Sequence, residues 1–163
     1  MQLVTMTAAD AELRVRMETD PAMMAELGGP RPRVAIERAH AGSLVQAAAG
    51  DCWPLKVNLE DGGPAVGSVV VWLASHDSEA LYEIGWMILP EFQGRGIASV
   101  AVHDALAIVR ATERVDAVHA YPGATNVPSN RVCEKNGFTI LGTCNVEFGG
   151  HTLRCNHWRL GLR

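Results

Sequence analysis

YEIGWMILPEFQGRGIA, residues 82–98, is the stretch whose reading decides the fold. Its first eight residues mix β-branched and aromatic side chains and end at Pro90, so they read as a strand. A short loop follows, then Gln93-Gly94-Arg95-Gly96-Ile97-Ala98, then a helical pattern through Ala111. A glycine-rich turn from strand to helix leaves several backbone N–H groups pointing out of a helix N-terminus. Such a place suits a phosphate or pyrophosphate, because the unpaired donors and the helix dipole both favour negative charge. The stretch therefore predicts a phosphorylated cofactor.

Upstream, residues 53–59 and 66–74 read as strands separated by the turn Asp61-Gly62-Gly63-Pro64, and residues 76–79 make a further turn into the strand at 81–89. Short turns between successive strands predict an antiparallel meander. Downstream of the helix at 94–111, residues 115–120 read as a strand. Residues 126–135 read as a helix closed by Asn136-Gly137. Residues 138–148 and 151–160 flank Gly149-Gly150 and predict a hairpin. Counting outward from that turn pairs Phe148 with His151 and Cys144 with Cys155, a spacing better suited to two packed thiols than to a disulfide.

At the N-terminus, residues 2–5 read as a first strand and Thr7 as a helix cap. Asp20-Pro21 reopens a helix, with Met23, Met24 and Leu27 on its apolar side, stopped by Gly28-Gly29-Pro30. A third helix covers 33–49. The order of elements predicts an α+β fold, a mixed but mostly antiparallel central sheet with flanking helices, in a single domain over residues 1–163.

Composition narrows the function. The chain has 163 residues, 48% hydrophobic and 20% charged, enough for one real core. A formal net charge of -4 argues against nucleic acid as a partner. No run of about 18 apolar residues is present, so neither a membrane span nor a membrane partner is expected. The first residues lack an apolar signal core, and Cys52, Cys133, Cys144 and Cys155 form no C-x-x-C pair. Free thiols and a cytoplasmic location are expected, and no metal site.

Two readings of the glycine turn compete on the residues alone. A dinucleotide fingerprint, G-x-G-x-x-G, is matched by Gly94 and Gly96, but Ser99 stands third and an antiparallel meander precedes it. The string Q-x-x-G-x-A at 93–98, preceded by EIGW-x-x-x-P at 83–90, resembles the acetyl-CoA motif of the GNAT N-acetyltransferase superfamily. The string at 126–138, N-x-x-S-N-x-x-x-E-K-x-G-F, resembles its second cofactor motif. This form is most similar to the branch that includes ribosomal-protein N-terminal acetyltransferases, and the resemblance covers about residues 55–160.

The resemblance implies acetyl-CoA as cosubstrate and a splay between the strands at 81–89 and 115–120, in which the pantetheine arm lies. It implies that backbone groups of Met87, Ile88 and Leu89 meet that arm. N–H groups of Gln93, Gly94, Arg95, Gly96, Ile97 and Ala98 would cradle the pyrophosphate, with Asn126 and Asn130 assisting. Asn126 also reads as the cap of its own helix.

Acyl transfer to an amine needs a proton acceptor. Glu83 lies on the strand that presents the thioester and is an acidic residue in an apolar strand, so it reads as either a base or one half of a structural pair. Tyr121 is the other candidate, through an ordered water. His119 points to the same side. Cys133 stands where many members of the superfamily carry a tyrosine that protonates the leaving thiolate, which leaves the acid unassigned.

The implied function is acetyl transfer to a primary amine by direct attack in a ternary complex, in a monomer or homodimer. The acceptor is a small molecule or a protein N-terminus. The alternative is a non-catalytic module of the same fold that senses or binds acyl-CoA. A nucleotide-dependent oxidoreductase is the weaker third reading.

Overall fold

Among the described residues, eleven helices and strands follow one another: β1 (Gln2–Thr5), α1 (Ala11–Glu18), α2 (Arg33–Ala49), β2 (Cys52–Asn58), β3 (Ala65–His76), β4 (Glu79–Ile88), α3 (Ile97–Arg110), β5 (Ala117–Ala120), α4 (Val127–Lys135), β6 (Thr139–Phe148) and β7 (His151–Gly161). The structure, a computed structural model, describes residues 1–76 and 79–163. The turn expected at 76–79 has its central pair, Asp77 and Ser78, outside the described residues.

The strands form one seven-stranded sheet in the order β1-β2-β3-β4-β5-β7-β6. All neighbours are antiparallel except β4 and β5. That parallel pair is joined at only two positions, Tyr82 opposite Val118 and Glu83 opposite His119. Beyond Glu83 the strand runs on to Ile88 paired with β3 alone. The sheet is thus split between β4 and β5, as the α+β reading with a splayed pair expects.

The registers sort the side chains into two faces. Val69, Val71, Ile84, Ile88, Val118, Ala120 and Trp158 lie on one face in the buried core. On it packs α3, whose Ala101, Val102, Ala105, Leu106 and Val109 are buried at helical spacing. On the other face α1 and α2 pack together and α2 lies against β2. His40 of α2 ties that layer to the chain before α1, its Nε2 2.8 Å from the Thr7 carbonyl oxygen. The half of this face toward β4, β5 and β7 presents polar side chains instead.

Gly67 explains how closely β3 and β4 approach at the split. A Cβ there would lie 2.3 Å from the Met87 carbonyl oxygen and 2.6 Å from Ile88 Cδ1. The terminal hairpin has the expected register, Phe148 opposite His151 and Cys144 opposite Cys155, with Gly149 and Gly150 at φ +59° and +84°. Cys52, Cys133 and Cys155 are free, buried thiols.

One element differs from expectation. Residues 20–29 form no regular helix. Asp20 Oδ1 accepts from the N–H groups of Ala22 and Met23, and only a short 3-10 helix, Ala25–Leu27, follows before Gly28 at φ +87°. Seven residues between a cap and a left-handed glycine are too few to repay helix nucleation, and burial of Met24 anchors the segment instead.

Candidate active site

The split and the glycine turn form one continuous feature. In the β3/β4 ladder the Leu89 N–H donates to the Val66 carbonyl at 2.9 Å, so Leu89 faces β3. Alternation puts Met87 on the same side, and turns the backbone groups of Trp86 and Ile88 toward the split. The Ile88 carbonyl accepts a bond from Gln93 Nε2 at 2.8 Å. Of the three residues expected to meet the pantetheine arm, Ile88 is the one whose backbone faces the gap. Trp86 joins it, a position that alternation could have supplied.

Past Ile88 a 3-10 turn, Pro90–Phe92, takes up the Gln93 N–H through the Pro90 carbonyl. Gly94 and Gly96 follow at φ +73° and +76°, backbone that L side chains rarely adopt. A Cβ on either would meet no protein atom within 4 Å. These glycines are therefore not required by close packing inside the protein; they leave open space in front of the turn. The Val100 N–H closes the first turn of α3 on the Gly96 carbonyl, so the donors of Ile97, Ala98 and Ser99 point out of the helix end. Arg95 stands beside them, with its guanidinium bonded to the Glu91 carbonyl and lying 5.6 Å over the Phe92 ring. The Glu91 carboxylate is turned away by its pairing with Arg16. The residues present fit a pyrophosphate: unpaired donors, a nearby cation, and no acidic side chain in the first turn of the helix.

On α4 the expected residues divide. Asn126 caps the helix, its Oδ1 accepting from the Ser129 N–H at 3.1 Å, and it is partly exposed. Asn130 is buried, and its amide is fully engaged inside the protein. Nδ2 donates to the Gly123 and Asn126 carbonyls, and Oδ1 accepts from Asn156 Nδ2 at 2.8 Å and Trp158 Nε1 at 2.9 Å. It ties α4 to β7 and leaves no bond for a ligand. Cys133 is fully buried in the core, and burial pushes its thiol up to about 12. It is a packing residue and does not reach the cleft.

The polar half of the sheet carries a belt of titratable rings. His76 Nε2 lies 2.8 Å from Glu83 Oε2. The His76 ring lies tilted by 30° against Tyr121 with centroids 4.7 Å apart, and Tyr121 stacks on His157 at the same distance. His157 Nε2 lies 2.7 Å from His119 Nδ1 and 3.2 Å from the Tyr121 hydroxyl. The two catalytic candidates, Glu83 and Tyr121, are thus brought together at the mouth of the split through His76, with His157 on the far side of Tyr121; the sequence reading selected neither histidine. Among the described residues no three His, Cys, Asp or Glu side chains are arranged to hold a metal ion. Across the cleft the hairpin tip meets the chain at 28–31: the Arg31 guanidinium lies 5.3 Å over Phe148.

Burial raises the Glu83 pKa, opposed by the bond and charge of His76. Burial also lowers both His119 and His157. For His119 the charges of His157, Arg159 and His76 add to the effect, and for His157 the charge of His76 does. An unfolded chain protonates these two histidines near 6.5, whereas the folded protein holds them neutral to lower pH. Between those values the unfolded state binds more protons, so folded stability rises with pH and is lost as pH falls through 6.5. Glu83 acts in the opposite sense nearer its own range. We expect the double variant His119→Asn/His157→Gln to lose less melting temperature than wild type between about pH 7 and pH 5.5. An equal loss in both proteins would contradict this account of the pair.

A family model described as an acetyltransferase (GNAT) domain matches residues 1–139. The chain belongs to the GNAT acetyltransferases. No curated protein matches the chain. Among solved structures, aminoglycoside acetyltransferase AAC(6′)-Ib in complex with coenzyme A superposes with TM-score 0.79 at 18% identity, over 98% of this chain and 94% of that one. The Salmonella typhimurium acetyltransferase that modifies the N-terminal serine of ribosomal protein L7/L12 gives 0.79 at 15%, over 98% and 93%. Spermidine N-acetyltransferase from Vibrio cholerae, with CoA and spermine, gives 0.78 at 16%, over 99% and 95%. At these identities the likeness shows the fold. GNAT membership makes the chain an acetyltransferase-family enzyme with acetyl-CoA as cosubstrate, and CoA or acetyl-CoA is present in several of the matching structures.

Proposed function

We propose that this protein moves the acetyl group of acetyl-CoA to a primary amine by direct attack in a ternary complex, as a single domain over residues 1–163. The observation that carries the reading is the split between β4 and β5, which leads without interruption into an open glycine turn at a helix N-terminus. Bound acetyl-CoA supplies the activated acetyl group. Backbone of Trp86 and Ile88 lies along the arm, the N–H groups of 94–98 with Arg95 hold the phosphates, and the exposed edge of Asn126 borders them. The Ile88 N–H is the donor we assign to the thioester oxygen. Glu83 and Tyr121 serve proton removal from the amine.

The acceptor is an amine of a small molecule or a protein N-terminus. The proteins of like fold act on aminoglycosides, spermidine and a ribosomal-protein N-terminus, and these classes set the first acceptors to try. The free thiols of Cys52, Cys133 and Cys155 suit a reducing cytoplasm, and no described helix is long and apolar enough to cross a membrane. A second reading, an acyl-CoA-binding module without catalysis, is favoured by one observation. The buried Cys133 gives α4 no acid for a leaving thiolate.

Intact-protein mass spectrometry tests direct attack. Incubated with acetyl-CoA and no amine, the protein should keep its mass. Stable gain of one acetyl group on the protein, passed on when amine is added, would replace the ternary complex with a covalent route.

A further inference from the structure

We propose that the imidazole of His76 is the group that takes the proton from the acceptor amine, and that Glu83 acts through it. The inference rests on the acetyltransferase reading and changes which atom meets the amine.

His76 and Glu83 are bonded through Nε2 and Oε2 at 2.8 Å, and the carboxylate is the more enclosed partner, its side chain 17% exposed against 27% for the histidine. A buried carboxylate bonded to one ring nitrogen fixes the tautomer and orientation of the ring and balances a proton gained on the other nitrogen. Here Nε2–H donates to Glu83, which leaves the lone pair on Nδ1. No described residue bonds to Nδ1. Acting directly, Glu83 would have to give up this bond or work from its enclosed side. The ring also lies in the right place. It lies against the Tyr121 ring, centroids 4.7 Å apart and tilted by 30°, and Tyr121 is the residue just past β5, where β5 leaves β4. The groups that act on it or feel its charge are Glu83 from β4, His119 from β5, Tyr121 just after β5, and His157 from β7. The charge of His76 is felt by both His119 and His157, and that of Arg159 by His119.

The proton count closes. An alkylammonium gives one proton to His76 Nδ1, and the freed nitrogen lone pair forms the N–C bond as the C–S bond breaks and its electron pair leaves on sulfur. A second proton passes from nitrogen to that sulfur. The proton on His76 goes to solvent. The sum is an amide, a thiol and one released proton.

The test compares His76→Gln with Glu83→Gln, using pH–rate profiles for acetyl transfer and long-range ¹H–¹⁵N spectra of the imidazoles. Gln at position 83 still accepts the Nε2–H bond but carries no charge. Glu83→Gln should therefore cost about 10-fold in kcat/KM, because the ring keeps its tautomer but loses the charge that balances the proton it gains. His76→Gln should cost about 10²–10⁴-fold and lose the acidic limb of kcat/KM, with acetyl-CoA affinity unchanged. Added imidazole should restore part of the rate to His76→Ala. The spectra should show His76 as the Nε2–H tautomer. A larger loss in Glu83→Gln than in His76→Gln, an acidic limb that persists in His76→Gln, or an Nδ1–H tautomer overturns the inference and makes the carboxylate the base. If wild type binds acetyl-CoA but acetylates no amine, the acetyltransferase reading falls and the inference with it.

Discussion

Gly96→Asp should lower acetyl-CoA affinity by about 100-fold or more relative to Gly96→Asn. Gly96 sits at φ +76° with nothing within 4 Å of an added Cβ. Asn and Asp are the two side-chain-bearing residues that tolerate such backbone best, and they are nearly the same size. Comparing them therefore removes both strain and bulk, and leaves one negative charge placed against the phosphates. Two like charges about 4 Å apart interact by roughly 4 kcal/mol at an effective dielectric near 20, before salt screening. A hundredfold loss is about 2.7 kcal/mol, well inside that limit. Titration calorimetry at two salt concentrations is the measurement, and the gap between the variants should narrow at high salt. Equal affinities at low salt would move the phosphate site away from this turn.

Asn130→Ala should be among the most destabilising single changes in the chain. It removes four hydrogen bonds at once and leaves the buried Trp158 indole N–H without its partner, while the Gly123 carbonyl keeps its bond from the Asn126 N–H. The unpaired indole costs about 1–3 kcal/mol and each of the other three lost bonds about 0.5–1.5 kcal/mol, so the sum is about 3 kcal/mol or more. For a domain of this size that is a fall in Tm of roughly 6–12 °C. Asn130→Asp should also destabilise, since a carboxylate oxygen would then face the Gly123 and Asn126 carbonyls. Measured below its melting range, Asn130→Ala should bind acetyl-CoA within about threefold of wild type. Unchanged melting combined with lost affinity would return Asn130 to the cofactor.

What could be read from sequence was local. Alternation and short turns marked β2, β3 and β4. A two-residue glycine turn placed Cys144 opposite Cys155, because a hairpin register depends only on residues counted outward from its own turn. The glycine turn and the Asn126 cap were legible for the same reason. The contacts that were missed are non-local. His76 and Glu83 meet across β3 and β4. Tyr121 and His157 meet because β7 inserts between β5 and β6, an order no local pattern reveals. Asn130 looked like a ligand-binding residue by its motif, and its partners Asn156 and Trp158 lie 26 and 28 residues away. Cys133 stood at a position associated with a tyrosine, and only packing showed that its side chain enters the core. The segment at 20–29 had helix punctuation at both ends but too little length between them.

Acetyl transfer itself is most directly tested by incubating the purified chain with acetyl-CoA and a panel of amines that includes peptide N-termini, spermidine and aminoglycosides. Acetylated product and released CoA are quantified together by mass spectrometry. The account predicts at least one amine acetylated in amounts equal to the CoA released, with both lost in Gly96→Asp. Tight binding of acetyl-CoA with no amine acetylated across the panel would contradict it, and would leave a domain that holds acyl-CoA without using it.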